Sequence, residues 1–122
     1  MAKTKNRYTD KELAMFDKLI DEKLTHAQSQ LDFYEKQLAD LADNADNKMK
    51  ALDDATGTIE AERVSELAVR TKKHIVHLQN AKLRIQNKVY GICRETGKLI
   101  SKERLKAVPH ATLSIEAKES RS

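Results

Sequence analysis

The residues whose spacing is most chemically defined are Cys93, Thr96, Ser114 and Ala117. Two residues separate Cys93 from Thr96, two separate Ser114 from Ala117, and seventeen lie between the pairs. With cysteine at all four places, that C-x2-C-x17-C-x2-C frame would hold structural zinc. A closed zinc site needs four thiolate or imidazole donors, and here one thiol, two neutral hydroxyls and a methyl occupy the positions. Tetrahedral coordination cannot be completed, so no metal is expected. Cys93 then reads as a small buried hydrophobe, and a single cysteine excludes an internal disulfide.

Other candidate chemistry is sparse. His74 and His77 share a helix face, but no cysteine or carboxylate cluster accompanies them, and His26 and His110 stand apart. These four histidines read as a tolerated seam residue (His74) and surface residues. The chain has no Gly-rich phosphate loop, no nucleophile elbow and no paired acids with a cleft, so no enzyme is expected. Charge is more informative. Residues 40–62 carry seven acidic side chains against two basic, whereas residues 63–122 carry fourteen basic against five acidic. The basic half invites a nucleic-acid reading. The acidic middle opposes simple phosphate tracking.

The elements that must position these groups are helical. The chain has 122 residues, 34% charged and only 4% aromatic, which favours solvated helices over a dense globule. Thr9 or Asp10 is a candidate cap after a frayed start. From there Leu13, Phe16, Ile20, Leu24, Ala27, Leu31, Tyr34, Leu38 and Leu41 recur at gaps of three and four, the seam of a coiled-coil helix. About 30 such residues give roughly 45 Å of helix, which must project from any small globule. Residues 43–57 lose the pattern and supply turn chemistry. A second helix starts near Thr58, with Val64, Leu67, Thr71, His74, Leu78, Ala81 and Ile85 as its seam and Ile75 on the flank. Two helices joined by about 15 residues form an antiparallel hairpin. Tyr90 and Gly91 break the second helix, Gly91 and Gly97 bracket a hairpin, Ser101 caps a short helix to Val108, and Pro109 stops it. Leu99, Ile100, Leu105, Val108, Leu113 and Ile115 suffice for a small apolar cluster. The tail from Lys118 is expected to be disordered. No apolar run reaches membrane-spanning length and the start lacks a leader's apolar core, so the expectation is a cytoplasmic protein with no membrane contact.

Tyr90, Gly91, Cys93, Gly97, Ile100, Arg104, Leu105, Ala107, Pro109, Ala111, Leu113 and Ile115, over roughly a quarter of the chain, give a stretch that resembles the C-terminal finger of the DksA/TraR transcription regulators. The resemblance implies a protein that binds RNA polymerase rather than DNA, and an acidic coiled-coil tip that enters the polymerase secondary channel. The family's tip signature, Asp-x-x-Asp-x-Ala, falls without gaps on Lys50, Asp53 and Ala55, so its first aspartate is missing. Asp53, Asp54 and Ala55 are the preferred tip residues, with Asp43 and Asp46 as the alternative. Arg70, Lys73, Arg104 and Lys118 are expected on a polymerase-contacting basic surface. Relatives can bind guanosine tetraphosphate as a co-effector. Arg104 and Lys118 match basic positions of that site, but Val108 stands where arginine is common, and His74 and His77 replace the usual helix residues. That departure weighs against a response to the nucleotide.

The sequence therefore predicts an all-α chain: a long antiparallel coiled-coil hairpin over 1–89 with its acidic tip at about 43–57, and a degenerate zinc-finger-like module over 90–122. The expected function is transcriptional regulation as a monomer, without sequence-specific DNA binding. Two other readings stay open, a nucleic-acid-binding module using the basic half and a coiled-coil adaptor that self-associates through its seam.

Overall fold

A computed structural model describes residues 7–47 and 54–121. Helix α1 spans Asp10–Asn47 and starts with a reciprocal cap. The Thr9 hydroxyl accepts a hydrogen bond from the Glu12 backbone N–H at 3.2 Å, and the Glu12 carboxylate accepts one from the Thr9 N–H at 2.9 Å. Two of the helix's otherwise unpaired donors are satisfied in this way. Tyr8 and Leu13, on either side of the cap, are both buried, as in a hydrophobic staple. Fraying at the start, expected from polarity, thus does not extend to Tyr8; residues 1–6 lie outside those described.

Helix α2 spans Asp54–Gln86. The loss of pattern after Leu41 predicts a longer turn and a helix beginning near Thr58, yet α1 continues to Asn47 and α2 takes in Gly57. Extending an existing helix needs no new nucleus, and each Asp, Asn or Gly disfavours it by only about 1 kcal/mol or less. The end of α2 also differs from the expected break at Tyr90. Lys88 adopts a left-handed backbone (φ 63°), its N–H bonds to the Ile85 carbonyl at 3.1 Å, and the Val89 N–H bonds to the Arg84 carbonyl at 2.9 Å. That is a Schellman motif with lysine in the place glycine usually takes. Helices α3, Lys102–Ala107, and α4, Ile115–Arg121, complete the order. The expected disordered tail is helical for most of its length, because Ser114 caps it. Among the described residues the one β-bridge is antiparallel, Ile92 to Leu99.

Two compact units emerge, Met1–Leu24 with His77–Ser122, and Thr25–Val76. In the first, Asp10 pairs with Lys88 at 2.9 Å, while Asp17 at 3.4 Å and Asp21 both pair with Lys82, so the two chain segments run antiparallel. Its core joins Tyr8, Phe16, Ile20, Leu78, Tyr90, Ile100 and Leu105, with Leu99, Val108 and Leu113 packed against them. Ile115, expected in this cluster, is 53% exposed because it opens α4 on the solvent side. The second unit buries Ala27 and Leu31 of α1 with Val64, Ala68 and Ile75 of α2. His74, placed in the seam by its spacing, is half-buried while Ile75 beside it is 7% exposed, so the apolar neighbour takes the inner position. Ala68, too small to stand out in the sequence, is buried where Leu67 is only partly covered.

Candidate functional site

The finger is built on the turn after Tyr90. The Cys93 N–H bonds to the Lys98 carbonyl at 2.8 Å, the Gly97 N–H returns to the Cys93 carbonyl at 2.8 Å, and the Ile100 N–H reaches the Gly91 carbonyl at 2.7 Å. Gly97 turns the chain with φ 73°. Gly91, at φ 77°, is also where the Tyr8 ring comes closest to the backbone: a methyl there would lie 2.6 Å from a ring carbon. Tyr8 donates its hydroxyl to the Ile100 carbonyl, and Tyr90 donates to the Pro109 carbonyl at 2.8 Å. Phe16 lies between the two tyrosines, 5.6 Å from Tyr8 and 5.3 Å from Tyr90 by ring centroids. Burial, with the nearby Tyr8 adding to it and the Arg84 charge opposing it, raises the Tyr90 phenol well above its ordinary range.

The four zinc-frame positions come together, each with another task. The Ser114 N–H donates to Cys93 Sγ at 3.3 Å, and the Ser114 hydroxyl accepts from the Ala117 N–H at 3.2 Å as the cap of α4. The Thr96 hydroxyl accepts from the Lys98 N–H at 3.2 Å, and Ala117 is buried. Burial pushes the Cys93 thiol up, but hydrogen bonds from the Thr96 hydroxyl and from the N–H groups of Ser114, Thr96 and Glu95 outweigh it and bring it down to about 6. A zinc-type turn therefore aims its N–H groups at a single sulfur. These residues do not furnish a four-sulfur donor set, and among the described residues no group of three or more His, Cys, Asp or Glu could hold a metal.

The acidic stretch takes in the end of α1 and the start of α2. Asp43, which is exposed, and Asp46 lie in α1, Asp54 is the first residue of α2 and Ala55 the second, and Asp53 lies outside the described residues. Of the basic residues singled out, Arg70 and Lys73 are exposed on α2, where with Ser65, Glu66 and Val69 they line a groove of about 340 Å³. Lys118 is exposed on α4. Arg104 is half-buried, and its side chain donates to the Leu113 carbonyl at 2.8 Å, tying α3 to the segment before α4. His77 and His110, both expected on the surface, stack at 5.4 Å, with His110 half-buried. Tyr8 escaped the sequence reading, although its place just before the Thr9 cap was the available signal.

Two helices long enough to dominate the chain, closed at one end by a cysteine-poor finger, define the class of protein. The family described as "Prokaryotic dksA/traR C4-type zinc finger" matches residues 88–122. The solved structure of transcription factor DksA2 from Pseudomonas aeruginosa resembles the chain with a TM-score of 0.82 and 30% identity, covering 89% of this chain and 81% of that one. The chain belongs to the DksA/TraR family. Among curated relatives, the RNA polymerase-binding transcription factor DksA of Caulobacter vibrioides is 39% identical over 83 residues, 66% of this chain and 50% of its own length. General stress protein 16O of Bacillus subtilis is 26% identical over 107 residues, 84% of this chain and 63% of its own. The chain thus spans from half to just under two thirds of these two relatives. Its all-α architecture agrees with the sequence reading, and no helix among the described residues is long and apolar enough to cross a membrane.

Proposed function

We propose that the chain regulates transcription by binding RNA polymerase directly, as a non-catalytic, monomeric cytoplasmic factor without sequence-specific DNA binding. The observation that carries this reading is the likeness to a DksA2 structure along nearly the whole chain, supported by the Caulobacter relative whose name states polymerase binding. In this proposal the junction of α1 and α2 enters the secondary channel. Asp53 and Asp54, with Ala55 beside them, bring negative charge to the polymerase active site, with Asp43 and Asp46 as the alternative pair. Arg70, Lys73, Arg104 and Lys118 face acidic surface at the channel entrance, where charge complementarity speeds association. Carboxylates delivered in this way bias a metal-bound phosphate or a mobile loop without bond chemistry of their own. The finger works without zinc, and guanosine tetraphosphate is not required.

The test is retention of purified RNA polymerase on the tagged chain, alongside transcription from a panel of promoters. Asp53→Asn with Asp54→Asn is expected to preserve retention and abolish the effect on initiation. Retention of bare DNA in place of polymerase would replace this proposal with the nucleic-acid reading. Elemental analysis of the purified chain is expected to give far less than one zinc per chain.

A further inference from the structure

On the first unit, beside the finger turn, Arg84 of α2, Val89, Ile92, Arg94 and Thr112 line a groove of about 350 Å³. The fold fixes its walls: the Arg94 N–H bonds to the Thr112 carbonyl at 2.9 Å, and the Val89 N–H bonds to the Arg84 carbonyl at 2.9 Å, so the backbone of each wall is tied to its neighbour. Val89 is 47% exposed and Ile92 half-buried, which leaves an apolar surface between two guanidinium groups. Neither arginine has a carboxylate partner among the described residues, and Arg84 Nη1 is buried with no hydrogen-bond partner there.

This is an uneconomical arrangement for a purely structural surface. A buried donor left unpaired loses its hydration without return. Two like charges sharing one groove repel. Burial holds the Arg84 guanidinium below its ordinary value, Tyr90 opposes that, and the charge on Arg94 lowers it further. Arginine stays protonated regardless, so an anion held between the two guanidinium groups would offset their repulsion and give Arg84 Nη1 an acceptor.

We propose that this groove is a binding site for a small organic oxyanion, phosphate or carboxylate, whose charged end sits between Arg84 and Arg94 and whose apolar body lies on Val89 and Ile92. The planar fork of each guanidinium suits paired oxygens. A modest rotation of Arg84 would hand Nη1 to the ligand. The site shares no residue with the Arg70 and Lys73 groove of the second unit and does not depend on the polymerase proposal.

Titration of the full chain with inorganic phosphate, phenyl phosphate and benzoate at constant ionic strength, followed by backbone amide NMR, tests the assignment. Saturable shifts centred on Ile92, Arg94 and Thr112 are expected, with affinity on the order of millimolar and phenyl phosphate tighter than inorganic phosphate. The comparison of phenyl phosphate with benzoate identifies which oxyanion the site prefers. Arg94→Gln, at an exposed position, should weaken binding roughly tenfold or more, as loss of a charge-assisted pair does. Arg84→Gln should do the same, and if it fails to fold, Arg94→Gln alone decides. Arg70→Gln with Lys73→Gln should leave binding unchanged. Shifts that do not saturate, that spread over all the basic residues, or that survive Arg94→Gln would overturn the proposal.

Discussion

Gly91→Ala tests how the finger is fastened. An L-residue at φ 77° is strained by roughly 1–2 kcal/mol. The added methyl would sit 2.6 and 2.7 Å from two carbons of the Tyr8 ring and 3.1 Å from a Leu105 methyl, so the ring must move. Moving it breaks the hydrogen bond from Tyr8 to the Ile100 carbonyl, about 1 kcal/mol net, and disturbs the edge contact with Phe16, about 0.5–1.5 kcal/mol. The expected destabilisation is roughly 3 kcal/mol, a large share of the ~5–15 kcal/mol typical of a folded domain. Urea unfolding followed by circular dichroism measures it, with a stabilising osmolyte present for the weaker variants. In a Tyr8→Ala background the ring is absent, and Gly91→Ala should cost only the backbone term and the Leu105 contact, about 1–2 kcal/mol. The two substitutions should therefore couple by roughly 1–2 kcal/mol. An equal cost in both backgrounds would refute the idea that the Tyr8 ring occupies the space above Gly91.

Three further outcomes are expected. Lys88→Gly should be more stable than Lys88→Ala by about 1 kcal/mol in urea unfolding, because both lose the Asp10 ion pair and only glycine is unstrained in the left-handed Schellman position. Ser114→Ala should cost about 1 kcal/mol and lower helical ellipticity, since α4 loses the side chain that caps it. The Cys93 thiol should titrate near 6 by thiolate absorbance, and Thr96→Val should raise that midpoint. Because the folded thiol ionises below its ordinary 9.0, its contribution to stability is complete above about 9 and is lost as pH falls through about 6. Measured against Cys93→Ser, the melting temperature of the parent chain should accordingly rise with pH across that window.

Much of the architecture was legible because long helices announce themselves by period. Leu13, Phe16, Ile20, Ala27 and Leu31 are all buried, as their spacing requires. The errors came where one residue type serves two purposes. Asp, Asn and Gly at 43–57 read as a turn, but helix propagation carried α1 to Asn47 and started α2 at Asp54. Ser114 stands out in the sequence as a lost zinc ligand, although serine followed by Glu116 in a first turn is also a helix start. Spacing could not choose between His74 and Ile75, which differ by 100° around the helix, and the cost of burying imidazole decided it. Contacts distant in sequence, Tyr8 with Gly91 and Arg94 with Thr112, leave no periodic trace at all.

The same positions show how a metal-binding frame can keep its shape after its donors are gone. In a four-cysteine finger the turn's N–H groups stabilise thiolates whose mutual repulsion the metal offsets. Removing the metal while keeping four thiolates would leave that repulsion uncompensated. Here three of the four charges are absent, and each replacement satisfies a local demand: Thr96 bonds within the turn, Ser114 caps α4, and Ala117 fills core. The remaining sulfur keeps the turn's N–H groups occupied, which is why it is held near the thiolate form. The two segments that zinc joins in a four-cysteine finger are linked here by the Ser114 N–H on Cys93 Sγ and the Arg94 N–H on the Thr112 carbonyl, while burial of Tyr8, Phe16 and Tyr90, with both tyrosine hydroxyls paired to finger carbonyls, fastens the finger to the start of α1. Fastening of this kind draws on residues far apart in the chain, so the finger and the first turns of α1 should gain and lose amide-exchange protection together.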